Sequence, residues 1–143
     1  SVAGNWLNGV PNSNIATADF TDAISGSGKT VSVDSDMTVR SMVFDNAQPY
    51  TINSTGGKII LDSLTTGILG TIKVKSGSHS IDAPIETHRI VWTDVVASST
   101  LNINSVITSV PTLFPDGLAG IIASAWRRVR VAFATPAHES EPA

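Results

Sequence analysis

The sequence predicts an all-β fold and, within that class, a right-handed parallel β-solenoid, in which coils of short strands stack on one another. Three observations lead to this prediction. Charged residues make up only 15% of the 143 residues, well below the roughly 25% of ordinary soluble domains. Apolar and polar residues alternate with a period of two, as they do in half-buried strands. The alternating pattern returns after about twenty residues, which is typical of repeat architectures.

The strand pattern begins at Lys29. Val31 and Val33 alternate with polar neighbours, and the acidic turn at residues 34–36 follows them. Further short apolar runs, each followed by turn-forming residues, cover residues 42–44, 50–52, 59–61, 72–74 and 101–103. One coil cannot bury its own apolar side, so stacked neighbours are needed to form a continuous core of Val and Ile.

The spacing of the apolar residues predicts the length of one coil. Val33 and Ile52 lie 19 residues apart, and Ile72 follows Ile52 by 20. Leu101 follows Ile81 by 20 residues. A β-sandwich also has short strands and frequent turns, and it is the alternative fold. The solenoid is preferred because the strands are very short and the polar turns recur in phase.

Composition divides the chain into four segments. Residues 1–28, rich in Gly, Asn and Pro, are predicted to form an N-terminal cap and turn segment, and residues 29–110 to form the solenoid rungs. Apolar residues then fall at helical spacing, which predicts an amphipathic helix over 111–135 that caps the last rung. Alternatives for this segment are a partner-binding helix and a stretch foreign to the repeat. Residues 136–143 are expected to be a disordered tail.

Composition also excludes several classes of function. The net charge of −3 argues against nucleic acid as the principal partner. The absence of cysteine excludes disulfides, cysteine-ligated zinc and thiol nucleophiles. No apolar run is long enough for a transmembrane helix. The chain starts at Ser1 without a signal-peptide pattern, which we interpret as a mature or trimmed product.

Several short motifs carry a resemblance to a known family. They are Gly-Asn-Trp at 4–6, Gly-Val-Pro at 9–11 and Thr-Ala-Asp-Phe at 17–20, followed by the runs at 30–34, 37–44 and 50–52. Together they resemble the opening and first rungs of bacterial autotransporter-associated β-strand repeat proteins. The resemblance covers residues 4–107, and its motifs mostly encode turns and core positions.

The resemblance implies a right-handed β-helix passenger or surface protein, exported from a Gram-negative-type cell. A secreted or cell-surface location is therefore expected. The family has no shared catalytic motif, so the resemblance assigns no active-site residue. Arg40 and residues 87–92 depart from the small-residue texture of the family, and residues 87–95 are expected to break the regular rung pattern.

Acidic residues at the predicted turns are candidates for two kinds of site. Asp34 and Asp36 are candidate calcium ligands, because calcium prefers carboxylate and carbonyl oxygens. The alternative is that these aspartates are solvated turn caps that bond their own backbone, and that the protein has no cofactor. Asp45 and Asp62 end comparable apolar runs and are candidate catalytic carboxylates if their turns stack. Glycosidases need two carboxyl groups roughly 5 to 9 Å apart, but like charges stacked directly would repel, which favours staggered positions.

Tyr50 and Trp92 are the aromatic residues predicted to stack on a sugar, and Trp92 is the better candidate for an exposed position. Two functional hypotheses follow. The first is a non-catalytic secreted or surface-displayed module that acts as a structural passenger, adhesin or carbohydrate binder. The second is a secreted hydrolase or lyase, with or without calcium, that acts on a polysaccharide or a small ester or lactone. The sequence leaves open whether the protein is an enzyme; the expected partner is a polysaccharide or cell-surface glycan.

Overall fold

The computed structural model describes residues 5–21, 28–64 and 69–110, which belong to one compact unit. These residues form the strands β1 (Ser13–Phe20), β2 (Lys29–Val33), β3 (Met37–Asp45), β4 (Tyr50–Ser54), β5 (Ile59–Leu61), β6 (Gly70–Ser76), β7 (Ser78–Ile81), β8 (Ile85–Thr87), β9 (Val91–Val95), β10 (Thr100–Ile103) and β11 (Ile107–Ser109). The predicted helix over 111–135 and the tail over 136–143 lie outside the described residues. Within the described ranges, no helix is long and apolar enough to cross a membrane.

The strands lie in three parallel stacks, and each full coil contributes one segment to each stack. The first stack contains β2, β4, β7 and β10. The second contains residues 37–39 of β3 with β5, β8 and β11, and the third contains β1, residues 41–45 of β3, β6 and β9. Because β3 belongs to both the second and third stacks, these form one seven-stranded sheet beside the four-stranded first stack.

Every pairing between the described strands is parallel. A sandwich built from hairpins would instead pair its strands antiparallel. The predicted all-β parallel solenoid is therefore confirmed, with about four turns, and the sandwich alternative is wrong.

The coils are longer and less uniform than the sequence predicts. Ile52 lies opposite Val31 on one side and Ile81 on the other, which corresponds to coil lengths of 21 and 29 residues. Val33 lies opposite Ser54, and Ile72 belongs to the third stack. Leu101 lies opposite His79 rather than Ile81. All three predicted pairs of equivalent residues were therefore wrong: two coils are two residues longer than predicted, and the connection over residues 62–69 between β5 and β6 lengthens the remaining one further.

Residues 87–95 do not break the stack, contrary to the prediction. After β8 the chain turns, and β9 then pairs with β6 from Gly70 opposite Val91 to Val74 opposite Val95 without a register shift. The heavier composition is accommodated because Trp92 lies opposite Thr71 on the outer side of the stack, where its ring stays exposed.

An aromatic row runs through the core along the axis of the stack. The Trp6 ring meets Phe20 edge-on at 5.8 Å between centroids, Phe20 stacks on Phe44 at 4.7 Å, and Phe44 stacks on His79 at 4.8 Å. Offset-stacked and edge-to-face pairs of this kind add roughly 0.5 to 1.5 kcal/mol each beyond burial. The N-terminal segment and the first coils are thus joined by one continuous set of ring contacts.

The imidazole of His79 is a core group rather than a site residue. Its ring is buried and its Nδ1 accepts the Tyr50 backbone N–H at 3.1 Å, while Nε2 lies 2.7 Å from the Ser76 carbonyl oxygen. Nδ1 can accept only when it carries no proton, so Nε2 is the donor and the ring is the neutral Nε2–H tautomer.

Candidate functional site

The outer side of the third stack presents an exposed tryptophan at the end of a row of hydroxyl groups. Trp92 on β9 is 60% exposed and lies opposite Thr71 on β6, which lies opposite Ser41 on β3. Ser41 lies opposite Thr17 on β1. The Thr71 hydroxyl donates a hydrogen bond to the Ser41 hydroxyl at 2.7 Å. We call this row of four residues the Trp92 face.

A second row of outward residues runs beside the Trp92 face. It consists of Asp19, Val43, Lys73 and Asp94, each opposite the next in the ladder. Charges of both signs thus flank the indole and the hydroxyl groups. Because all of these residues stand on strands of one sheet, the backbone fixes their spacing before any ligand arrives.

Tyr50, the other predicted ligand-binding aromatic, lies in the core. Its side chain is 6% exposed, and its hydroxyl donates to the Thr21 carbonyl oxygen at 2.9 Å. The ring centroid lies 5.3 Å from that of Phe20. Tyr50 therefore packs under the first coils and has no outer surface on which a sugar could stack.

The structure does not bring Asp45 and Asp62 together. Asp45 ends β3 on the third stack, opposite Ser76, and lies 3.4 Å from the Lys75 ammonium. Asp62 follows β5 on the second stack, and its carboxylate oxygens lie 3.9 Å from His88 Nδ1 and from Arg89 Nε. The two carboxylates thus belong to different ladders, and each has a basic side chain beside it.

Asp62 instead belongs to a group of ionisable side chains on the outer side of the second stack. Successive members are Asp36, Lys58, Glu86, His88, Asp62 and Arg89, and we call them the charged cluster. Its two shortest contacts are those of Glu86, at 2.6 Å to Lys58 Nζ and 2.6 Å to His88 Nε2. The cluster joins three coils, and no part of it could be read from sequence spacing alone.

The chemistry of the charged cluster favours ion pairing. The hydrogen bond from Lys58, followed by that from His88, holds the pKa of Glu86 below its usual value of 4.5. The same contact with Glu86 raises the pKa of Lys58 above 10.5. A carboxyl group that serves as a general acid near neutral pH needs a raised pKa instead. The Lys58–Glu86 pair is therefore an ion pair near neutral pH, and it fastens neighbouring coils to one another.

Asp34 and Asp36, the predicted calcium ligands, lie in the turn between β2 and β3. The Asp36 carboxylate accepts the Lys58 backbone N–H at 3.2 Å and lies 3.8 Å from its ammonium group. Asp34 Oδ1 accepts the Ser35 hydroxyl at 3.5 Å. Across residues 5–21, 28–64 and 69–110, no group of three or more His, Asp or Glu side chains is arranged to hold a metal ion. Calcium binding stays a prediction.

Sequence reasoning missed a regular surface on the four-stranded first stack. In each of its four coils a polar–apolar–polar triplet turns its middle residue, a Val or Ile, toward the core and its two short polar side chains outward. The triplets are residues 30–32 (Thr-Val-Ser), 51–53 (Thr-Ile-Asn), 80–82 (Ser-Ile-Asp) and 102–104 (Asn-Ile-Asn). We call the outward residues the triplet face. Its signal was present in the sequence as a recurring triplet, but the irregular coil lengths hid the repeat.

No protein-family model matches the chain, and neither does any curated protein or any solved structure. The resemblance to autotransporter-associated repeats therefore depends on the sequence motifs alone, and the β-solenoid depends on the structure.

Proposed function

We propose that the chain is a non-catalytic β-solenoid module that binds carbohydrate through the Trp92 face. We place it in a secreted or cell-surface protein of the autotransporter-associated repeat type. The observation that carries the proposal is the 60% exposure of Trp92 on a paired strand, in line with the hydroxyl pair of Thr71 and Ser41. An indole in such a position exposes a large apolar surface to water, and covering that surface with a ligand is favourable.

A sugar ring complements this arrangement in two ways. The C–H side of a pyranose can cover the flat indole, as amphipathic aromatic side chains do at interfaces. The hydroxyl groups of Thr71 and Ser41 can then exchange hydrogen bonds with sugar hydroxyls one coil away, about 4.8 Å along the stack. Because these side chains stand on a formed sheet, little conformational entropy is lost on binding.

The hydrolase or lyase alternative has less support from the geometry. A glycosidase needs two carboxyl groups on either side of one bond, one of which is protonated at the working pH. Asp45 and Asp62 lie on different stacks, and the pKa of Glu86 is lowered by Lys58 and His88. Binding without turnover is therefore the function that these residues support best.

The test compares three full-length proteins by native affinity electrophoresis through gels that contain neutral or acidic polysaccharides. They are the unsubstituted chain, Trp92→Ala and the matched control Leu64→Ala, which removes a comparably exposed apolar side chain (Leu64, 64%). We expect at least one polysaccharide to retard the unsubstituted chain and Leu64→Ala equally. Truncating a central aromatic residue costs roughly 2 kcal/mol of binding free energy, or about thirtyfold in Kd, so Trp92→Ala should migrate freely.

Equal retardation of Trp92→Ala and the unsubstituted chain would remove the Trp92 face from the proposal. Release of reducing ends from a retarding polysaccharide, abolished by an Asp62→Asn substitution, would favour the hydrolase instead.

A further inference from the structure

We propose that the triplet face binds ice. This surface is separate from the Trp92 face, and the proposal does not depend on carbohydrate binding. It follows from the regularity of the eight outward side chains, which are Thr30, Ser32, Thr51, Asn53, Ser80, Asp82, Asn102 and Asn104.

The eight side chains form a two-dimensional lattice. Thr30, Thr51, Ser80 and Asn102 lie opposite one another in consecutive coils, and the register has no shift anywhere in this stack. In the second column Ser32 lies opposite Asn53, whereas Asp82 and Asn104 directly follow the last residues of β7 and β10. Neighbours are therefore spaced about 4.8 Å along the stack and about 6.7 Å along the strand, from strand spacing and rise per residue. The first column extends over all four coils.

Contacts among the side chains hold the lattice in a fixed orientation. The Asn104 amide donates to the Asp82 carboxylate at 2.9 Å, and the Ser80 hydroxyl donates to the Thr51 hydroxyl at 3.3 Å. The Asn53 side-chain oxygen accepts the backbone N–H of Ser54 at 2.7 Å. Thr side chains are also stiff about χ1 because they are β-branched. The polar groups thus lose little freedom when they are bound.

Charge distinguishes the triplet face from the outer sides of the other two stacks. Asp82 is the one ionisable group among its eight outward residues, and its carboxylate bonds to Asn104. The second stack instead carries the charged cluster, and Asp19, Lys73 and Asp94 flank the Trp92 face. Strongly hydrated ions hold liquid water around them, whereas hydroxyls and amides each exchange one or two hydrogen bonds with a water molecule.

A rigid array of donors and acceptors, in which seven of the eight side chains are neutral, suits a ligand whose own hydrogen-bonding groups form a lattice. Water molecules bonded to all eight groups at once take up the spacing of the protein, and ice can continue such an ordered layer. Each net hydrogen bond contributes only about 0.5 to 1.5 kcal/mol, so one or two contacts are weak and simultaneous contacts are required. Because the lattice spans only four coils, we expect adsorption to ice and shaping of crystals rather than strong freezing-point depression.

The test measures how much fluorescently labelled full-length protein is incorporated into a slowly growing ice hemisphere. Thr51→Lys places a long charged side chain near the middle of the triplet face, and Thr108→Lys makes the same change on β11 of the second stack, where Thr108 is exposed. We expect the unsubstituted chain, Thr108→Lys and Trp92→Ala to enter the ice and Thr51→Lys to be excluded. The lysine side chain at residue 51 projects from the triplet face and prevents close contact with the surface of the ice crystal.

Circular dichroism verifies that each variant is folded. If Thr51→Lys is unfolded, Asn102→Lys on the exposed side of β10 takes its place. Exclusion of the unsubstituted chain from ice overturns the proposal, and so does equal incorporation of the folded triplet-face variant. Adsorption of the triplet face to crystalline cellulose without any incorporation into ice also overturns it, because the partner would then be a polysaccharide surface. If Trp92→Ala loses glycan binding but enters the ice as the unsubstituted chain does, the carbohydrate site and the ice-binding surface are independent.

Discussion

The adjacent isoleucines of β5 point to opposite sides of the sheet, so replacing each with alanine should have very different effects on stability. Ile59 is 3% exposed and lies between Met37 and Ile85 in the ladder of the second stack. Ile60 points outward, opposite Glu86 of the next coil. The two substitutions remove the same atoms from consecutive positions of one short strand, so local propensity and unfolded-state effects are closely matched.

The expected magnitudes follow from burial. Ile→Ala removes three carbon atoms, and the transfer of each buried methylene is worth about 0.8 kcal/mol, or about 2.4 kcal/mol in total for Ile59. The cavity left between the coils adds to this loss, so we expect Ile59→Ala to lower the free energy of unfolding by about 3 to 4 kcal/mol. Ile60→Ala leaves no enclosed cavity and should cost about 1 kcal/mol or less.

The assay is urea denaturation of the two full-length variants and the unsubstituted chain, followed by circular dichroism. Equal losses for the two variants, or a larger loss for Ile60→Ala, would refute the assignment of inner and outer residues. A one-residue shift in strand register exchanges the two faces and would produce that reversal.

Four further substitutions, one of them a control, test the turns, the core and the charged cluster. Gly77 has φ +80°, and a Cβ there would lie 2.1 Å from the Asn46 carbonyl oxygen. Gly77→Ala should therefore lower the free energy of unfolding, measured in urea, by roughly 2 to 4 kcal/mol. The control Gly9→Ala has the same φ but open space around the new Cβ, and it should lower the free energy of unfolding by only about 1 kcal/mol. His79→Phe keeps the ring but leaves the Tyr50 N–H without its acceptor, so we expect a loss of roughly 1 to 3 kcal/mol, and an unchanged urea midpoint would contradict the hydrogen-bond assignment. The lowered pKa of Glu86 stabilises the fold above about pH 4.5 and ceases to do so as the pH falls through that lowered pKa. Glu86→Gln should therefore melt below the unsubstituted chain at pH 7, and the two melting temperatures should converge in acid; a constant difference across this range would contradict the ion pairing.

Much of the strand layout could be predicted from the sequence because alternation is a local property. The runs around Ile52, Ile72 and Leu101 were all assigned to strands, and each lies in a strand of the structure. The turn at residues 34–36 was also correct, since acidic and small side chains bond readily to nearby backbone groups. A strand within residues 1–28 was not predicted, because β1 is stabilised by its pairing with β3 rather than by its own pattern.

The register and the clusters could not be predicted because they depend on the length of each connection. Residues 62–69 lengthen one coil, so the pairing that aligned Ile52 with Ile72 had to fail. The same uncertainty concealed the charged cluster, in which Asp62 meets His88 only because β5 and β8 pair with Leu61 opposite Thr87. The sequence predicts Tyr50 as a ligand-binding residue because nothing in the neighbouring sequence indicates that its hydroxyl donates a hydrogen bond to the Thr21 carbonyl oxygen.

The most direct test of the stacked coils is a pair of engineered cross-links, since the chain has no native cysteine. Thr51 and Ser80 lie opposite each other in neighbouring coils, and strands about 4.8 Å apart bring their Cα atoms within the range that a disulfide spans. Under mild oxidation the Thr51→Cys, Ser80→Cys protein should form this disulfide rapidly. The control, Thr51→Cys with Thr71→Cys, joins positions that a uniform repeat of about twenty residues would align but that the structure assigns to different stacks. Efficient cross-linking of the control pair, with none between residues 51 and 80, would contradict the solenoid described above.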